Sequence, residues 1–143
     1  MSSQLRVERT GTRQGVARNG RGASVRFGPD DVEGSFTPGE LLALALAACN
    51  VMSVDHVLTR RLGEVGIGGT VVTSKDVGDN AYVDAHVELE VSGGDVPDDA
   101  AWQELVAVAS RAVARGCTVG RTLERPLPHT ISIVRTDTKE QVG

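Results

Sequence analysis

At 143 residues the chain has the length of one domain, long enough to bury an ordinary core without a metal or disulfide staple, and residues 1–143 read as a single domain. Fifteen Lys plus Arg against 19 Asp plus Glu leave a net charge of −4, which offers no basic footprint for nucleic acid or an anionic membrane. Aromatic residues make up only 3% of the chain, so platforms for stacking bases or sugars are excluded too.

Residues 4 to 28 alternate imperfectly and are interrupted by Gly11, Gly15, Gly20 and Gly22, which predicts two or three short strands joined by tight turns. Asn19-Gly20 is the strongest hairpin signal there. After a loop through Gly28-Pro29-Asp30-Asp31 and Val32-Glu33-Gly34-Ser35, the run Thr37-Pro38-Gly39-Glu40 supplies a Thr cap, a Pro at the first helical position and a Glu three residues after the cap. That is a capping box, and it predicts a long helix from Pro38 to about Leu62, stopped at Gly63. Its first three turns are apolar on nearly every side, as for a helix buried all round.

A strand is predicted over Val65 to Ser74 and another over Ala81 to Ser92. In the second, Ala81, Val83, Ala85, Val87, Leu89 and Val91 share one face, while Tyr82, Asp84, His86, Glu88 and Glu90 share a wet one. Pro97-Asp98-Asp99 opens a second helix whose stripe is Trp102, Leu105, Val106, Ala109 and Val113, ending at Arg115-Gly116. Cys117 to about Leu123 reads as a further short helix, Pro126 and Pro128 as brackets of a turn, and Thr130 to Thr136 as a last strand. The order of strands, long helix, two strands, two helices and strand is an α+β arrangement. One amphipathic helix cannot cover a central helix this apolar, so a homodimer with the two central helices packed between sheets is inferred.

Nothing at the start has the charged-then-apolar form of a signal peptide, and the apolar run Leu41 to Met52 is far short of the roughly 20 residues of a membrane span. The expectation is a soluble, cytoplasmic protein with no membrane partner. In that reducing compartment two cysteines point to catalysis, redox sensing or metal binding rather than a permanent staple. His56, His86 and His129 are scattered without paired ligand spacing, so no metal is expected. Both cysteines lie where a thiol is useful: Cys49 inside the apolar run, and Cys117 directly after Gly116 at a helix junction. Helix termini and neighbouring cations favour the reactive thiolate.

Thr37-Pro38-Gly39-Glu40-Leu41-Leu42 through Ala47-Ala48-Cys49, with Gly116-Cys117-Thr118-Val119-Gly120-Arg121-Thr122-Leu123 further on, resembles the OsmC/Ohr family of osmotically inducible and organic hydroperoxide resistance proteins. The resemblance runs from about residue 6 to residue 135, and the two cysteine motifs are specific in combination. It implies an OsmC-like fold, a mostly antiparallel sheet around a long buried central helix, in an intertwined homodimer with sites at the subunit interface. It also implies a thiol-dependent peroxidase without a cofactor, acting on organic hydroperoxides and in some members on hydrogen peroxide. Cys49 matches the peroxidatic thiol and Cys117 the resolving one, so a Cys49 sulfenic acid would close to a disulfide that a dithiol, such as a lipoyl group, reduces. Reactive thiols of this kind predict Cα atoms within about 7 Å of each other.

In the hydroperoxide-resistance branch a glutamate directly follows the proline and pairs with an arginine that activates the thiol. Here Gly39 holds that place and Glu40 follows, which resembles the broader OsmC-like branch. Nine residues along one helix put Glu40 opposite Cys49 and about 13 Å away along the axis, so within one copy Glu40 is accounted for by the capping box. Arg18 is the nearest match to the family's amino-terminal arginine, and Arg121 follows Cys117 by one turn; either is a candidate activating cation. His56 shares the face of Cys49 but is about 10 Å along the helix, too far for a dyad. Two other readings stay open: a non-enzymatic dimeric module holding a small apolar ligand, and a redox sensor that forms the disulfide but turns over slowly.

Overall fold

The computed structural model describes residues 4–95 and 97–136. Its elements are β1 (Arg6–Gly11), β2 (Gln14–Arg18), β3 (Ser24–Phe27), α1 (Pro38–Leu62), β4 (Gly66–Asp76), β5 (Ala81–Ser92), α2 (Asp99–Gly116) and α3 (Thr118–Leu123). The α+β class follows the sequence pattern, with every ladder between strands antiparallel: a three-stranded sheet β1-β2-β3 and a long hairpin β4-β5. In the turn between β2 and β3 the Asn19 side chain accepts the N–H groups of Arg21 and Ala23 at 2.9 and 3.0 Å, the local bonding that makes Asn a turn residue.

The bounds of α1 are those of its capping signals. Thr37 Oγ1 accepts the Glu40 N–H at 3.0 Å and Glu40 Oε1 accepts the Thr37 N–H at 2.8 Å, so the box closes reciprocally. At the other end Gly63 turns the chain at φ 80° and returns its N–H to Thr59 O, a backbone geometry open to glycine at little cost. The core gathers on the second half of this helix: Val54, Leu58 and Leu62 with Leu105 of α2, flanked by Ile67 of β4 and Leu89 and Val91 of β5.

Three expectations need correction. Although α1 is central, α2, α3 and the hairpin cover one side of it within a single chain, leaving Leu42, Leu44 and Met52 exposed at 46, 41 and 78%. By length and hydropathy alone α1 would also suffice to cross a membrane, the one such helix among the described residues. Its packing against α2 and the hairpin, and its Asp55, Arg60 and Arg61, fit the core helix of a folded domain.

The even alternation of β5 also breaks. The register pairs Lys75 with Tyr82 but Ser74 with Asp84, so Val83 bulges out of the ladder. Tyr82 therefore turns toward α1 instead of facing water with Asp84 and His86. Its hydroxyl fills the space where a Cβ at residue 39 would project, so any larger residue there would require Tyr82 to move.

The last predicted strand does not form. Residues 130–136 pair with nothing among the described residues, and Ile131, Ile133 and Val134 are 87, 92 and 81% exposed. Alternation and β-branching make a segment fit to be a strand, but a strand also needs an open edge beside it. Both sheets have open edges, but among the described residues this segment pairs with none of them.

Candidate thiol site

Cys49 sits near the middle of α1, and Cys117 is at once the residue that ends α2 and the one that caps α3. The cap is made by sulfur: Cys117 Sγ accepts the Gly120 N–H at 3.2 Å and donates its own proton to Asn50 Oδ1 at 3.2 Å. At 1% exposure Cys117 is the most enclosed large side chain of the core, whereas Cys49 is half-buried. Gly120 permits this closeness, because a Cβ there would lie 3.2 Å from Cys117 Sγ and 3.7 Å from Leu46 of α1.

The two thiols, both free, lie near enough to influence each other's ionisation, while the hydrogen bonds of Cys117 go to Asn50 and Gly120. Their surroundings push them apart in acidity. The Val119 N–H, then the Cys117 thiol, hold the Cys49 pKa below the usual thiol range, with the Thr118 N–H adding to the effect and burial opposing it. Burial pushes Cys117 up, and the neighbouring Cys49 adds to that rise. One sulfur is set to ionise beside another that keeps its proton.

The sequence predicts a cation beside Cys49, but the groups that lower its pKa are backbone amides and a thiol. The start of α3 supplies donors where a guanidinium was expected. Arg18 lies at the end of β2, paired at 3.5 Å with Glu8, whose carboxyl is held low by Arg6 first and Arg18 second. Arg121 donates to Arg115 O at 3.1 Å and so ties α3 to the end of α2. Glu40 is engaged in the helix cap, and His56 pairs with Arg60 on the exposed side of α1. Within one chain, then, Cys49 and Cys117 influence each other's ionisation, and Arg18 and Glu40 are engaged elsewhere, with Glu8 and in the helix cap.

Asn50 is the site residue that sequence reasoning missed. Its signal was present: it is the single amide in the apolar run Leu41 to Met52, and it directly follows Cys49. A cavity of about 530 Å³ runs along the first half of α1, bounded by Leu42, Leu46, Tyr82, Gly120 and Leu123, with the carboxylates Asp84 and Glu124 also on its wall; neither cysteine lines it, and it approaches the thiols only through Gly120, the partner of Cys117. No group of three or more His, Cys, Asp or Glu side chains able to hold a metal occurs among the described residues.

A family model described as OsmC-like protein matches residues 28–132, and the chain belongs to that family. An uncharacterized protein of Mycobacterium tuberculosis is 42% identical over 137 residues, covering 92% of this chain and 96% of the relative. Among solved structures, an OsmC-like protein of unknown function from Vibrio cholerae superposes with a TM-score of 0.61 at 13% identity, covering 87% of this chain and 94% of that one. The organic hydroperoxide resistance protein OhrB of Bacillus subtilis does so with a TM-score of 0.56 at 22% identity, covering 85% and 90%. At these identities the two structures establish the shared fold.

Proposed function

We propose that this protein is a cytoplasmic, homodimeric, thiol-dependent peroxidase that reduces organic hydroperoxides. What carries the reading is that, in a chain of this family, Cys49 is favoured as thiolate and Cys117 as thiol, each near enough to influence the other's ionisation. The Cys49 thiolate attacks the terminal peroxide oxygen, the O–O bond breaks, and the alcohol leaves once the alkoxide is protonated, with Cys49 left as the sulfenic acid. Cys117 then displaces hydroxyl from that sulfur, water departs and a disulfide remains, which a small dithiol or lipoyl group reduces by exchange.

The mostly apolar cavity along the first half of α1, which reaches Gly120 next to Cys117, offers room for a bulky organic peroxide. The name of the Bacillus subtilis structure agrees with this substrate class. The bare flank of α1 and the unpaired segment 130–136 support a dimer, since a second copy offers both a cover and an edge. Any part for Arg18 in the reaction requires that second copy, and Glu40 serves as the cap. Stopped-flow consumption of cumene hydroperoxide with a dithiol tests the reading: Cys49→Ser is expected to lose all turnover. Equal rates for wild type and Cys49→Ser would remove it.

A further inference from the structure

We propose that Asn50 is the positioning residue for the resolving thiol: its side-chain amide holds the Cys117 sulfur in place and thereby sets how fast a Cys49 sulfenic acid closes to the disulfide. The inference rests on the peroxidase reading and deepens it. Asn50 follows Cys49 on α1, about 100° further round the helix, so the two side chains flank the place where Cys117 is buried. The Cys117 thiol donates to Asn50 Oδ1 at 3.2 Å, and at 1% exposure no bulk water competes for it.

That thiol's proton is held by the Asn50 amide, and the Cys49 sulfur is near enough for its charge to act on it. While Cys49 is a thiolate, its charge draws the proton. Once the peroxide has turned Cys49 into a neutral sulfenic acid that attraction is gone, and the amide oxygen is a stronger acceptor than a neutral sulfur. With its S–H turned to Asn50, Cys117 presents lone pairs to Cys49. Closure takes Cys117 as its thiolate: the proton passes from the Asn50-held thiol to the sulfenic hydroxyl, the S–S bond forms as the S–O bond breaks, the hydroxyl leaves as water, Cys117 is oxidised and the sulfenic sulfur reduced.

An amide is suited to this place because it has two ends. Its oxygen serves the Cys117 thiol, and, turned about its last bond, its NH₂ serves the thiolate. A carboxylate offers only acceptors and a leucine offers neither.

The test mixes reduced full-length protein with one equivalent of cumene hydroperoxide in the presence of dimedone, and reads by intact mass how the Cys49 sulfenic acid divides between dimedone adduct and disulfide. Asn50→Leu and Asn50→Asp are expected to shift that ratio toward the adduct about fivefold, the effect of one lost hydrogen bond to a buried group. Asn50→Asp is nearly isosteric, so it carries the test should the leucine variant fail to fold. As pH falls through the new carboxyl's titration, its ratio is expected to return toward the wild-type value, because a protonated carboxyl again has a donor and an acceptor. A residue with a merely structural role would change stability and leave the ratio alone.

Wild-type ratios in both variants would overturn the role of Asn50 and leave the peroxidase reading standing. Closure driven by oxidised dithiothreitol, which needs no peroxide, separates the two ideas. Slower closure there in both variants, in a wild type that forms no sulfenic acid with peroxide, would remove the peroxidase reading and keep Asn50.

Discussion

The two halves of α1 differ in what one chain provides for them. Along the second half, Val54, Leu58 and Leu62 are 2, 4 and 5% exposed, enclosed by α2 and the hairpin. Along the first half, Leu42 and Leu44 stand 46 and 41% exposed. Cys49 falls between them, at the seam of a completed core and an uncovered one. Stability therefore resides in the second half, while the first half borders a cavity and leaves room for a second copy.

The largest expected effect sharpens that contrast. Leu58→Ala empties a filled site and is expected to lower the unfolding free energy by about 2–5 kcal/mol, measured by urea denaturation and independent of protein concentration. Leu44→Glu is expected to cost little in dilute protein but to shift sedimentation from dimer to monomer. The comparison fails if Leu58→Ala is harmless or if Leu44→Glu unfolds the chain at every concentration.

A smaller effect concerns the thiols at the seam. Only the thiolate is alkylated, so the lowered pKa of Cys49 puts its half-maximal reaction with iodoacetamide at a lower pH than that of an ordinary cysteine, and the raised pKa of Cys117 puts its own at a higher one. Mass spectrometry of the two peptides across a pH series checks the order. In Cys117→Ala the Cys49 midpoint is expected to rise only partway, since the Val119 N–H is the larger influence on it. A reversed order would contradict the assignment of roles.

Where local chemistry decides structure, the sequence was legible. The capping box and Gly63 marked both ends of α1, and Asp98 marked the start of α2, accepting the Ala101 N–H at 2.8 Å. Ala81–Ser92 was recognisable as a strand, but the bulge at Val83 was not, because a bulge is defined by the pairing with β4 and not by the alternation of β5 alone. Thr130 to Thr136 has the composition of a strand but pairs with no edge among the described residues, and pairing is likewise not written in the segment itself. At the site the two cysteines declared themselves by motif. Asn50 and the amides of α3 did not, since a backbone N–H carries no sequence signature and a lone amide in an apolar run has many ordinary uses.

The account depends most on the two sulfurs closing on each other, and peptide mapping under non-reducing conditions after one equivalent of cumene hydroperoxide tests that directly. The account predicts a single intramolecular link between the peptides of Cys49 and Cys117, reversed by a dithiol and absent in Cys117→Ser, where Cys49 is trapped as the dimedone adduct. Cys49 oxidised to the sulfinic acid in the wild type, with Cys117 still a free thiol, would contradict it.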